Sequence, residues 1–240
     1  MNLEINKLTI KHIAIIILLF CTSVFASEGG KDISGNPANA YYLSPIEIET
    51  LAEKVKQGDM QAAERLGYYY MVIEYDHEKA CEFFRVPAKQ GDARVQHNLA
   101  IILMDFASLK GEQEGLYWLE MSAKNGYVNS KYSLARLYER GEKVEQDYCK
   151  ARFWYEKAAR SGDGSSMIKI SKYFEDGKCV NRDNIQAYIW ILLAKTYTHP
   201  NSMAGKKCTE KMAFFEKQLS ESEIKKAQDE SEMLLEEIGG

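Results

Sequence analysis

From Ser130 onward, polar and apolar positions fall into a helical rhythm. Ser130, Leu134 and Tyr138 stand four apart and share one stripe. A turn marked by Gly141 follows, and Asp147 stands where a short acid accepts the free amide protons of a new helix. Ala151, Trp154, Tyr155, Ala158 and Ala159 then alternate small and large on one face. Alanine lets a neighbouring helix come close, and the aromatic fills the gap beside it. Gly162 stops this second helix in the left-handed conformation that glycine tolerates, with a basic residue ahead of it at the negative end of the helix dipole. The pattern predicts two helices and a turn over residues 130–163.

The same pattern returns along the chain. Gly141, Asp147, Ala151 and Trp154 match Gly177, Asp183, Ala187 and Trp190 at a shift of 36 residues, and Trp118 matches Trp154 at the same shift. "AAERLGYYY" from Ala62 and "DHEKACEFFRVPAKQGD" from Asp76 are earlier copies of the two halves. Gly58, Gly91, Gly126 and Gly162 lie 33, 35 and 36 residues apart, and Lys-Gln-Gly-Asp surrounds the first two. Read this way, that tetrapeptide is a helix stop joined to a helix start and carries no chemistry. A period in the mid-thirties predicts a helical repeat array. Leu66, Leu99, Leu134 and Ile170 share one core position, and the three tryptophans share another. Two units depart from the pattern. The first lacks the glycine after its first helix, and the second has Phe106 there and Gly115 where alanine belongs. Ser44-Pro45-Ile46-Glu47 predicts a capping box and a lone helix over 45–57. Residues 203–218 are helical in pattern, and Ser220-Glu221-Ser222-Glu223 opens a last helix whose acids and lysines suit a polar outer cap.

Composition narrows the class. An apolar fraction of 45% and a charged fraction of 28% fit an ordered chain that one elongated array accounts for. A net charge of −4 without a basic run argues against nucleic acid. Lys7 and Lys11, the apolar run from Ile13 to Phe20, and Val24-Phe25-Ala26 form the three parts of a secretory signal over residues 1–26, cut after Ala26. That run is short for a bilayer span, so no membrane insertion is expected after cleavage. Residues 27–43 read as a flexible lead-in, 44–197 as the array, and 198–240 as a C-terminal helical repeat or cap.

Cleavage leaves Cys81, Cys149, Cys179 and Cys208, an even number in an exported chain. Their wide spacing, with no Cys-x-x-Cys, speaks against a metal site. In a stack of repeats the turns between paired helices share one edge. Cys179 lies in such a turn and Cys149 begins the second helix of the preceding unit, so these two are expected to pair. His77, His97 and His199 are the mature chain's histidines, and none is spaced with a nucleophile. No zinc-helix signature, phosphate loop or nucleophile elbow occurs. Neither a catalytic residue nor a cofactor is expected.

The run Leu-Ala-x-x-Tyr, Gly, Asp-Tyr, Ala-x-x-Trp-Tyr-x-x-Ala-Ala-x-x-Gly, best kept over residues 130–163, resembles the Sel-one-like repeat, a relative of the tetratricopeptide repeat. The resemblance implies an all-α fold, a right-handed α–α solenoid of TPR-like helix pairs, and a protein partner held along the groove lined by first helices. The repeat register then places Arg65 and Tyr68, Asn98 and Ile101, Ser133 and Arg136, and Lys169 and Lys172 toward that groove, with His97 and Tyr132 one step back. Such a strip is aromatic and basic on an acidic chain, so it calls for an acidic strip on the partner. Exported members of the family include immunity partners of secreted antibacterial effectors, notably phospholipases. The resemblance therefore implies a periplasmic or secreted immunity protein; the alternatives are an envelope adaptor or host-binding factor, and a hydrolase.

Overall fold

The computed structural model describes residues 40–106 and 109–239. The predicted secretory signal and most of the lead-in lie outside them. Among the described residues there are eleven α-helices and no strand, so the fold is all-α. They fall in two compact units divided between Gly111 and Glu112. The first holds α1 (Pro45–Lys56), α2 (Met60–Tyr69), a π-helical turn (Tyr70–Glu74), α3 (His77–Lys89) and α4 (Ala93–Phe106). The second holds nearly all of α5 (Leu109–Lys124), then α6 (Val128–Arg140), α7 (Tyr148–Ala159), α8 (Gly164–Asp176), α9 (Asn184–Tyr197), α10 (Met203–Glu216) and α11 (Glu221–Gly239).

The recurring glycines stop the helices they follow. Gly58, Gly91, Gly126 and Gly162 have φ of 88°, 96°, 95° and 85°. The amide of the next residue then donates five residues back into the helix: Asp59 to Lys54 at 3.0 Å, Asp92 to Pro87 at 3.2 Å, Tyr127 to Ser122 at 3.1 Å and Asp163 to Ala158 at 3.1 Å. This closes the orphan carbonyls of the helix end. Three of those next residues are aspartates, and each starts the following helix. Asp59 accepts from the Ala62 amide at 3.0 Å, Asp92 from Val95 at 2.9 Å and Asp163 from Ser166 at 2.8 Å. Tyr127 has no such side chain, and α6 begins without a side-chain cap. The two capping boxes form as well. The Ser44 amide donates to Glu47 at 2.8 Å and the Glu47 amide to Ser44 Oγ at 3.4 Å; Ser220 and Glu223 do the same at 2.8 and 3.4 Å.

Turns within the pairs follow a related rule. Gly141 and Gly177 have φ of 70° and 69°, and the Asp147 and Asp183 amides close back onto the Tyr138 and Phe174 carbonyls at 2.9 and 3.1 Å. The first unit lacks this glycine. There α2 runs on into the π turn, Tyr75 takes the left-handed conformation at φ 56°, and the Asp76 amide closes onto Tyr70 at 2.9 Å. A residue with a Cβ thus carries the conformation that glycine holds elsewhere.

Leu66, Leu99, Leu134 and Ile170 are all buried, as are the small residues Gly67, Ala100, Ala135 and Ser171 that follow them. At Gly67 a Cβ would stand 2.5 Å from the Phe84 ring, so α3 occupies the space that a side chain would need. Trp118 and Trp190 are buried, whereas Trp154 is half-buried. The α9 helix is apolar on nearly every side because α8, α10 and α11 all pack on it. Ile189 and Leu193 are buried in α9, while Phe153 and Lys157, one period earlier in α7, are exposed. Cys149, in the first turn of α7, is bonded to Cys179, in the turn after α8, with a Cα separation of 5.2 Å. Cys81 and Cys208 are buried thiols.

Gly67→Ala is expected to lower unfolding free energy by about 1–3 kcal/mol, since Phe84 must move to admit the methyl; urea titration of both proteins measures it. The Cys149–Cys179 bond closes a loop of 30 residues. Its removal in Cys149→Ser/Cys179→Ser should cost about 3–4 kcal/mol by chain entropy, read by the same titration with and without reductant.

Candidate partner-binding surface

In the first unit the sequence register selects Arg65, Tyr68, His97, Asn98 and Ile101. Arg65 is exposed and lies 3.6 Å from Glu47 of α1. Tyr68 departs from the expectation of a groove-floor residue: it is 4% exposed. Its hydroxyl accepts from Arg94 Nη1 at 2.8 Å and from Asn98 Nδ2 at 2.6 Å, and its ring meets Phe84 at 5.2 Å and Tyr41 at 5.3 Å between centroids. The chain ahead of α1 and the helix α4 close over it, and repeat register within one helix contains neither. Asn98 is thereby committed to an internal bond, and Ile101 is half-buried. His97 is half-buried, and burial pushes its imidazole down to about 4. Arg94 pairs with Glu64 across α4 and α2. Burial raises the Glu64 carboxyl, against the opposing pull of Arg94.

In the second unit the register selects Tyr132, Ser133, Arg136, Lys169 and Lys172. Lys169 of α8 donates to Glu139 of α6 at 2.7 Å, and the same carboxylate oxygen accepts from the Tyr155 hydroxyl at 2.9 Å. One period on, Lys211 of α10 donates to both oxygens of Glu175 in α8 at 2.7 and 2.6 Å. Together with Glu64–Arg94, these pairs are struts from one first helix to the next. Tyr132, Tyr155 and Tyr173 lie in a row, with ring centroids 5.7 and 6.1 Å apart. Burial and then the Glu139 charge push the Tyr155 and Tyr173 hydroxyls well above the usual phenol range. Lys172 is exposed and lies 3.6 Å from Asp176 one turn on, and Ser133 is half-buried.

The expected excess of positive charge is therefore reduced. Glu47, Glu139 and Asp176 answer Arg65, Lys169 and Lys172. Arg136 differs: it is exposed, forms no ion pair among the described residues, and sits over the Tyr132 ring at 6.0 Å. An exposed guanidinium on an aromatic platform can receive a carboxylate in a forked geometry. Among the described residues, no cluster of histidine, cysteine and acids could hold a metal ion, and no helix is long and apolar enough to cross a membrane.

The Sel1 repeat model matches residues 61–92, 93–127, 128–163 and 164–195, which is most of the described chain. The chain belongs to the Sel1 repeat family. Sel1 repeats mediate protein–protein interaction. The chain is 28% identical over 136 residues to the uncharacterized protein YibG of Escherichia coli (strain K12), covering 52% of this chain and 89% of YibG. It is 36% identical over 70 residues to the F-box protein At1g70590 of Arabidopsis thaliana, covering 29% of this chain and 20% of that one. Among solved structures it is similar to c5321, described as a protective antigen of uropathogenic Escherichia coli with an SLR fold. The TM-score is 0.64 and the identity 25%, over 80% of this chain and 41% of c5321. This chain thus spans about two-fifths of that relative's length.

The histidine gives a pH test. A His97 imidazole held down to about 4 when folded, against about 6.5 when unfolded, means that the unfolded chain binds more protons in that interval. Stability should be full above about pH 6.5 and fall as pH drops toward 4. Thermal melts across this range should show the fall, and His97→Asn should flatten it.

Proposed function

We propose that this chain is an exported protein-binding scaffold whose partner is a secreted antibacterial toxin, such as a phospholipase effector, which it neutralises as a periplasmic immunity protein. Membership of a protein-interaction repeat family supports the binding half of the reading. The observation that carries the export half is the Cys149–Cys179 disulfide between two exposed residues. Such bonds persist in oxidising compartments and are rare where glutathione keeps thiols reduced. Lys7, Lys11, the apolar run Ile13–Phe20 and Val24-Phe25-Ala26 add the expected leader. An inhibitor acts by occlusion, so it requires no acid, base or nucleophile of its own.

A second reading is an envelope adaptor or a factor that binds host proteins. The description of c5321 as a protective antigen favours it, because an antigen must be reachable from outside the cell. In both readings the Arg136–Tyr132 platform is the first contact to test, with Lys172, the equivalent of Arg136 one period on.

Mass spectrometry of the mature protein should find an N-terminus at Ser27; an intact Met1 on a cytosolic species would exclude export. Where a reading frame next to this gene encodes a toxin, co-expression of both in the periplasm should restore growth. Arg136→Glu/Lys172→Glu should abolish that protection with helix content unchanged. Tyr132→Ala should cost about 2 kcal/mol of affinity if the ring is an anchor. Full protection by the charge-reversed protein would remove this face from the proposal.

A further inference from the structure

The C-terminal half of α7 has an unanswered positive charge beside an exposed ring. Arg152, Lys157 and Arg160 are faced, within residues 151–160, by Glu156 alone, while Lys150 in the first turn is answered by Asp147 at 3.6 Å. Glu156 is already shared by Arg152 at 3.3 Å and Arg160 at 3.4 Å. Lys157 is exposed and has no carboxylate partner among the described residues; its ammonium lies over the Phe153 ring at 5.5 Å. Phe153 is half exposed, at 50%. Lys131 of α6 reaches the same place and donates to Ser161 Oγ at 2.8 Å, while Ser161 donates to the Lys157 carbonyl at 3.0 Å. Burial and then the charge of Lys157 lower the Lys131 ammonium, so the two cations feel each other, and neither has an ion pair among the described residues.

The chain itself shows what answers this end of α7. Its last helix, α11, carries seven acids against two lysines, and its Glu237 lies 3.6 Å from Arg160. That same helix packs on α9, where Ile189 and Leu193 occupy the positions equivalent to Phe153 and Lys157 and are buried. An acidic amphipathic helix is therefore the kind of element that this outer face accepts one repeat further on.

We propose that Lys131, Phe153, Lys157 and Ser161 form a second docking surface, on the second-helix side, for an acidic segment of a partner protein. A carboxylate of the segment sits between the two ammonium groups and accepts from Lys131 and Lys157, and a neighbouring apolar side chain covers Phe153. The surface rests on the protein-binding reading but is separate from the Arg136–Tyr132 platform. A membrane of anionic lipids would also answer two lysines, but a single exposed ring gives little apolar area to insert, so a protein segment fits better.

The test replaces Phe153 with the photo-crosslinker p-benzoylphenylalanine in the full chain, produced in its native cell, with a second protein carrying the same group at Tyr132. Irradiation should join position 153 to a segment of another protein, and mass spectrometry should find that segment rich in Asp and Glu. Lys131→Glu/Lys157→Glu should lower the yield at position 153 at least about tenfold, while Lys150→Glu lowers it less than about twofold. Lys157→Gln, a milder change, should lower it in the same direction with helix content unchanged. Cross-links at position 132 but none at position 153 would overturn this surface and leave the protein-binding reading standing; none at either position would count against both. Capture of lipid, of a second copy of this chain or of a segment without acids at position 153 would also overturn it, as would a yield indifferent to the charge reversals.

Discussion

The packing of this array depends on how closely the two helices of a pair approach at one small residue. Gly67, Ala100, Ala135 and Ser171 each stand next to a fully buried leucine or isoleucine. Where the small residue is glycine, the Phe84 ring of the opposing helix lies where a Cβ would be. Close approach brings many atoms into dispersion contact and excludes water from the large side chains on either side. The left-handed glycines after α1, α3, α5 and α7 serve the same geometry, because each turns the chain from a second helix, or the leading one, into the next first helix within two residues.

Once the helices are packed, the polar residues along the first helices have two different fates. Glu64–Arg94, Glu139–Lys169 and Glu175–Lys211 join successive first helices and are largely shielded from solvent. Breaking such a shielded pair leaves a charge without its partner, which is costlier than the pair's own net contribution. They hold neighbouring repeats in register and are unavailable to a ligand. Arg136 stands outside these struts, and it is this difference, not the number of cations, that makes it the proposed contact on the first-helix face. The proposed counterpart is Lys157 of the second helix α7, approached by Lys131 from α6, where Glu156 is already divided between two arginines.

The end of the array shows the same economy of burial. Inside a stack, a second helix leaves one side to solvent, as α7 does with Phe153 and Lys157. The α9 helix leaves far less to solvent: Ile189, Trp190, Ile191 and Leu193 are all at or below 5% exposure. Its apolar surface requires a cover, and α11 supplies one with Ala227 and Ser231 turned inward and charged residues outward. A helix of this kind covers the apolar face beneath it and turns a largely charged side outward.

The period, the helix stops and starts, the shared core positions and the two capping boxes are legible in the chain alone, because each is fixed by residues within a few positions of one another. A glycine before an aspartate, or a serine three residues before a glutamate, acts through its own backbone. The sequence also placed Cys149 and Cys179 at adjacent turns once the repeat was aligned, and the all-α repeat fold follows from the same alignment. Which side chains remain exposed and unanswered, by contrast, is settled by packing between helices. Tyr68 met the register rule for the groove yet is closed in by Arg94, Asn98 and Tyr41, which come from α4 and from the chain before α1. Lys169 and Arg65 are answered by Glu139 and Glu47 from other helices, 30 and 18 residues away in sequence. Burial and charge pairing are sums over everything that surrounds a side chain, and those neighbours are assembled by folding, so no local pattern contains them.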